Sequence, residues 1–264
     1  MRKYFEVFRL SFKMQIVWRF DVAMTMFATI SRIVAAWILW NAIFSGKALV
    51  SGFTFQAMLS YYLVSSFLTS LDLSGQISGE VSYLIRDGGF TKYMVTPLNP
   101  LGFFSFRTAG EAAFQLGFSC LAAVICALLL PINIILTSDI KQIFLAIVMI
   151  LLGLLCMMCF HHLLGMLAFK FLSVSTFLHA ANNLTAFLTG ALIPLALLPE
   201  WSITAMRMFP FYYVTYLPAM LLTGQSGEEA LTGVITLACW TGGLLALNHF
   251  IYHKLRVQYD GVGI

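Results

Sequence analysis

Phe144-Leu145-Ala146-Ile147-Val148-Met149-Ile150-Leu151-Leu152-Gly153-Leu154-Leu155-Cys156-Met157-Met158-Cys159-Phe160 runs without a single charge. A helix over 143–169 is therefore long enough to cross a bilayer, which takes roughly 20 apolar residues. A water-facing helix of that length would carry a polar stripe, and this one has none. The rest of the chain agrees. Its 264 residues are 60% hydrophobic and 10% charged, with mean hydropathy +0.89. Soluble domains carry about 25% charged residues, so this composition cannot build a water-facing surface. The length suits one helical membrane domain, with no room for a second, soluble one.

Working outward from that run, five further stretches qualify or nearly do: 22–44, 53–71, 110–130, 177–198 and 231–253. Residues 1–20 read differently. Phe5, Phe8, Phe12 and Ile16 recur at helical spacing, while Arg2, Lys3, Glu6, Arg9 and Lys13 take other faces. That pattern predicts an amphipathic helix lying in the membrane interface, its basic side chains toward lipid head groups. A cleaved signal peptide fits poorly, because no small-residue cleavage site follows an apolar core. The expected organisation is an interfacial helix over 1–20 and a six-helix membrane domain over 21–264.

Charge sets the expected orientation. With the N-terminus inside, the inner segments hold Arg2, Lys3, Arg9, Lys13, Arg19, Arg86, Lys92, Arg107, Lys170, Lys254 and Arg256; the outer loops hold Lys47, Lys141 and Arg207. The positive-inside rule then places both termini in the cytoplasm, which requires an even number of spans. The net charge is +4, without a Lys/Arg run of the kind that binds nucleic acid. All five cysteines (Cys120, Cys126, Cys156, Cys159, Cys239) fall in apolar stretches, where reduced, packed thiols are expected.

Two connections are informative. In the inner one, 72–107, Ile77, Val81, Leu84 and Ile85 mark one face of a short helix, with Gln76, Glu80 and Tyr83 elsewhere on it. Asp72 or Ser74 can cap its start, and Asp87-Gly88-Gly89 ends it. The outer connection, 199–229, is apolar despite its position. Pro199, Pro210 and Pro218 break it into short pieces, and Trp201, Phe209, Phe211, Tyr212, Tyr213 and Tyr216 should seat it at or in the outer interface.

The run Ile85-Arg86-Asp87-Gly88-Gly89-Phe90-Thr91-Lys92-Tyr93-Met94-Val95-Thr96-Pro97-Leu98-Asn99-Pro100-Leu101 resembles the cytoplasmic segment of ABC type-2 exporter permeases. There a helix, a glycine turn and a Pro-Leu-Asn/Ser-Pro stretch lead into the third span. Residues 190–224, with Pro194-Leu195, Leu198-Pro199, Phe209-Pro210-Phe211, Tyr216-Leu217-Pro218 and Gly224, resemble the fifth span and external re-entrant segment of the same family. The order of elements agrees over essentially the whole chain. The resemblance implies a half-transporter that pairs with a second permease, identical or not. Each permease would bind a cytoplasmic ABC ATPase subunit through the helix between spans two and three. On that basis Glu80, Tyr83, Arg86 and Asp87 are the expected coupling residues, and Pro194, Pro199, Pro210 and Pro218 shape the re-entrant segment. The simpler alternative makes the inner helix only an interfacial spacer. ATP and Mg would sit on the partner ATPase, with no cofactor on this chain. Its Gly46-Lys47 pair lacks the preceding glycine and following Ser or Thr of a phosphate loop.

Several polar residues inside the spans carry two readings each. Arg32, mid-span, costs roughly 2.5–3.5 kcal/mol to insert. It lines the translocation path or subunit interface, or else the span starts later and Arg32 lies near the head groups, with Asp72 or Glu111 in reach. Asn182 and Asn183, beside His179 and Thr185, line a substrate path or bond across helices. Cys156, Cys159 and His162 offer soft metal ligands, but packing is the more economical account and no metal is expected. Gly153, Gly165, Gly242 and Gly243 read as close-packing positions, and Pro194 as a kink. No catalytic arrangement is evident, so the chain is not expected to be an enzyme.

The expected fold is thus all-α and polytopic, with six transmembrane helices, an N-terminal interfacial helix and a coupling helix between spans two and three. The expected function is a permease subunit moving an amphipathic or hydrophobic substrate (drug, peptide or lipid-like) across a bacterial plasma membrane. The alternatives are a stand-alone secondary or metal transporter, or a non-transporting immunity or sensor protein.

Overall fold

The computed structural model describes residues 2–129, 133–171, 174–191 and 193–256, the side chains of Arg19, Ala127 and Leu129 excepted. Leu130 and Leu192, at the end of the third expected span and within the fifth, fall outside them, as does the side chain of Arg19. The described chain is all-helical, with 79% of residues in helix and no strands.

Among the described residues four helices are long and apolar enough to cross a membrane: α2 (Arg19–Phe44), α6 (Pro100–Leu129), α7 (Ile140–Met166) and α11 (Ala230–Leu255). Two others fall short of the stretches drawn from the sequence. α3 is Phe55–Leu71 and α8 is Ser175–Leu188, so α8 stops ten residues before the expected end at 198. The reason is local. Gly190 turns the chain with φ +76°, and a Cβ there would lie 3.0 Å from the Tyr61 hydroxyl and 3.1 Å from the Tyr216 side chain. Tyr61 holds the turn by donating to the Gly190 carbonyl at 2.9 Å. The remaining helices are short: α1 (Arg2–Met14), α4 (Gly75–Arg86), α5 (Thr91–Val95), α9 (Glu200–Met206) and α10 (Tyr216–Leu222).

α3 is the interior helix: 11 of its 17 residues are buried. Being wrapped by protein rather than lipid, it can carry hydroxyls that bond sideways. Ser70 shares a 2.6 Å hydrogen bond with Ser119 of α6. Ser60 accepts from the Ile135 backbone N–H at 2.8 Å. By contrast α2 is peripheral, with only 17% of its span buried, and Phe27, Ile38 and Leu39 exposed. Phe144 and Leu151 of α7 and Phe250 of α11 extend the exposed apolar belt. Such a belt is what a bilayer solvates and water does not.

α7 is the axis of the molecule. α11 lies along it, tied by the Asn248 amide, which donates to the Cys159 carbonyl at 2.9 Å and contacts His162 Nδ1 at 2.8 Å. Gly165 of α7 receives α4 and Gly153 receives the segment before α10, so two of the expected close-packing glycines act as such. Gly242 and Gly243 do not. They are exposed, with nothing within 4 Å of a built Cβ, because they lie on the face of α11 turned away from the bundle.

α1 is an amphipathic helix, but its docking differs from the expected stripe. It packs along the start of α6, where a Cβ at Gly110 would collide with the Phe8 carbonyl and one at Gly102 with Tyr4. Ser11 is buried on that face, while Phe5 and Ile16 are 60% and 54% exposed. Tyr4, Val7, Phe8 and Ser11 face α6, with Tyr4 stacked on Phe106 and Phe12 edge-on to Phe114, while Phe5, Leu10 and Met14 lie exposed among the charged residues.

Candidate functional site

Three features stand out: a short helix across one end of the bundle, a buried hairpin at the other, and a polar cavity between them.

α4 lies across the end formed by α6 and α7. Ile77, Ser78, Val81, Ser82 and Ile85 are buried. The i, i+4 spacing puts these on one stripe, and the small serines let the helix sit close to α7. A Cβ at Gly165 would stand 2.8 Å from Val81 and 2.9 Å from the Ser78 carbonyl. Ahead of the helix, Asp72 Oδ1 accepts from the Ser74 backbone N–H at 3.1 Å and from the Ser74 hydroxyl. Asp72 thus shapes the turn before α4, and Ser74 occupies the N-cap with its hydroxyl turned to Asp72 rather than to the helix's first N–H groups. The helix ends at Asp87, followed by Gly88 with φ +76°.

The expected coupling residues separate on this frame. Tyr83 is 58% exposed and Asp87 is exposed, on one stripe with Gln76 and Gly79. Glu80 is not free. It pairs with Arg107 of α6, whose Nε also donates to Glu111 at 3.1 Å. Arg86 is half-buried, its Nε folded back on the Ser82 carbonyl at 3.4 Å. Glu80 therefore ties α4 to α6, the open face belongs to Gly79, Tyr83 and Asp87, and the exposed Gln76 borders the polar cavity.

At the opposite end the chain from Gly190 to Gly224 folds back into the protein. Pro194 is buried and Pro199 caps α9. Pro210 opens a 3-10 turn, and Pro218 is the third residue of α10, where its missing N–H costs no helical bond. α9 is exposed. α10 is buried from Tyr216 to Leu221, so this half enters the bundle rather than lining its surface. A polar latch holds it to α11. Arg207 pairs with Glu229, the Tyr212 hydroxyl donates to Glu229 at 3.0 Å, and the Trp240 indole donates to the Met208 carbonyl at 3.1 Å. Burial pushes the Tyr212 hydroxyl pKa up, so it remains a donor.

Between the two ends lies a cavity of about 350 Å³, bounded by the end of α3, the turn into α4, α7, α8 and the residue before α10. Asn182 faces it, with Oδ1 buried and unpartnered. His161 faces it too, 2% exposed, with Nδ1 unpartnered. Asp72 completes the polar group. The sequence reading singled out Asn182 alone of these three for the path. His161 was missed there because its neighbour Cys159 suggested metal chemistry. The available signal was the Asp72/His161 pair, each at the same end of a span.

Asn183, one residue on, is exposed on another face of α8 and does not join the cavity. Arg32 is exposed midway along α2, and its Nη2 donates to Thr29 at 3.2 Å. Neither acid suggested for Arg32 is spare: Glu111 holds Arg107, and Asp72 lines the cavity. His162 turns to Asn248, so the adjacent histidines serve different neighbours. No cluster of three metal-ligating side chains occurs among the described residues.

A protein-family model described as ABC-2 family transporter protein matches residues 30–263, and the chain belongs to that family. It is thus a membrane subunit of an ABC transporter, and membership implies an ATPase partner. No curated protein and no solved structure matches.

Proposed function

We propose that this ABC-2 family protein is the permease half of an ATP-driven exporter, energised by a separate ATPase that docks on the open face of α4. That face is the observation that carries the reading. An amphipathic helix has its apolar stripe buried in the bundle end while Gly79, Tyr83 and Asp87 point away. Rigid packing at Gly165 supports transmission of a push from the ATPase into α7, as a lever acts on a two-state element. Glu80, bound by Arg107, sets the lever's attachment rather than touching the partner. ATP and Mg belong to the ATPase chain.

In this reading the protein spans the membrane six times with both termini cytoplasmic. α3 crosses as the buried fifth of the bundle's long elements. α8 crosses about 21 Å at roughly 1.5 Å per residue, and the buried α10 hairpin fills the remaining depth. A second permease, identical or not, covers the exposed side of α2 and α8, where Arg32 and Asn183 lie. The cavity at Asn182 belongs to the path, and the cargo is amphipathic. α1 rests in the inner interface with its exposed apolar side chains in lipid.

The test is co-purification of the tagged chain from its native membrane. Recovery of an ABC ATPase subunit, lost in Tyr83→Ala/Asp87→Ala while the thermal stability of the permease holds, is the expected result. Full retention of the ATPase by that double variant would move its docking elsewhere.

A further inference from the structure

We infer that the cavity between α3, α7 and α8 is a binding site for a primary ammonium group, recognised through its N–H donors; this rests on the exporter reading for what the bound group is for, not for the binding itself. The lining is unbalanced in a way that specifies a ligand. Asp72 supplies one carboxylate, and the lining holds no lysine or arginine to offset it. Three of the four lining threonines spend their hydroxyl hydrogen elsewhere. Thr69 gives its hydrogen to the Ser65 carbonyl at 2.8 Å, Thr185 to Asn182 at 2.9 Å and Thr189 to Ala186 at 3.3 Å. Only their lone pairs face the cavity.

Two buried side-chain atoms have no partner in the protein, Asn182 Oδ1 and His161 Nδ1, the latter on a side chain 2% exposed. A neutral imidazole with its hydrogen on Nε2 presents Nδ1 as an acceptor. A buried polar atom left unbonded is destabilising, so a cavity holding more than one calls for a donor-rich occupant. An ammonium provides three donors and the charge that Asp72 lacks a partner for, which offsets the cost of removing it from water.

The lining also says which ammonium. No Phe, Tyr or Trp faces the cavity, and a quaternary ammonium without N–H groups is recognised mainly by aromatic faces. Met157, Leu73 and Ala186 supply the apolar wall for the carbon chain bearing the amine. The class is therefore an amphipathic primary amine.

The experiment titrates the purified full-length chain, in detergent and without ATPase, with the fluorescent primary amine dansylcadaverine. Its N-acetyl and its N,N,N-trimethylammonium analogues serve as comparisons. Saturable binding is expected for the amine, at least tenfold weaker for both analogues. Asp72→Asn keeps an oxygen to accept from Ser74 and removes the charge; it should weaken the amine at least tenfold. Asn182→Leu, which keeps Asp72 and its bonds to Ser74, should do likewise and decides the matter if Asp72→Asn does not fold. Equal binding of the trimethylated probe, or binding indifferent to both substitutions, overturns the assignment, as does absence of saturable binding to the folded wild-type chain. Failure to recover an ATPase while the amine still binds would instead sink the exporter reading and leave the site standing.

Discussion

Two places on α7, one in its last turn and one at its middle, carry different kinds of attachment. At Gly165, α4 is docked by shape: Val81 and the Ser78 backbone sit against bare glycine, and the one polar tie is Glu80 to Arg107. At Gly153, twelve residues away and about 18 Å along the helix, the returning chain touches through Val214. There α10 is buried whole, and the Arg207–Glu229–Tyr212 latch adds polar ties to α11. One is a helix lying on the bundle with an open face. The other is a plug inside it. A lever needs a rigid fulcrum and a free face, whereas a plug needs to be held on all sides, and a single helix with a glycine at each contact connects them.

The largest expected effect is at the fulcrum. Gly165→Leu forces a side chain into backbone and β-branched neighbours at under 3 Å; overpacking of this kind costs about 1–3 kcal/mol and displaces α4. We expect the melting temperature to fall and ATPase co-purification to be lost together. Retention of the ATPase at wild-type level would show that α4 does not need this seat. Gly153→Leu meets Val214 at 3.3 Å rather than under 3 Å. Its destabilisation should be smaller, with the ATPase still bound, as read by the same two measurements. Equal loss of the ATPase in both variants would mean that the two places do not act separately.

Smaller effects probe the ties. Tyr212→Phe removes one hydrogen bond of the latch, worth about 0.5–1.5 kcal/mol, and should lower the melting temperature slightly while leaving ATPase stimulation intact. Arg107→Gln frees Glu80 and Glu111, whose side chains are 32% and 13% exposed. Exposed pairs contribute about 0–1 kcal/mol and the better-buried Glu111 loses more, so stability should fall only modestly. Coupling should change instead, seen as ATPase turnover less responsive to cargo. A large stability loss without any change in coupling would make the Glu80–Arg107 pair a structural tie only.

Much of this was legible in the chain itself. The charge-free run around Gly153 announces a membrane helix, and the four spans with greatest length follow from hydropathy alone. The short helix at 75–86 was visible from Ile77, Val81 and Ile85, because a helix lying on a surface must alternate faces with period 3.6. The role of Glu80 was not legible: Arg107 is 27 residues away in sequence, and only the crossing of α4 over α6 brings them together. The length of α8 was misread for a similar reason. Hydropathy counts apolar residues, and 195–198 are apolar because they pack on the core after the turn at Gly190, not because they continue a helix.

The sequence by itself determined the solvent this protein lives in, the helical class that follows from it, and the amphipathic character of its two surface helices. Those are properties of local composition and period. Tertiary structure alone decided which glycines are seats, since Gly165 and Gly242 look alike until a neighbour is placed beside one of them. It also decided that Asp72, His161 and Asn182 share a cavity while Asn183 and His162 do not. Side chains one residue apart on a helix point about 100° apart, and what each meets there depends on which helices the fold has brought alongside.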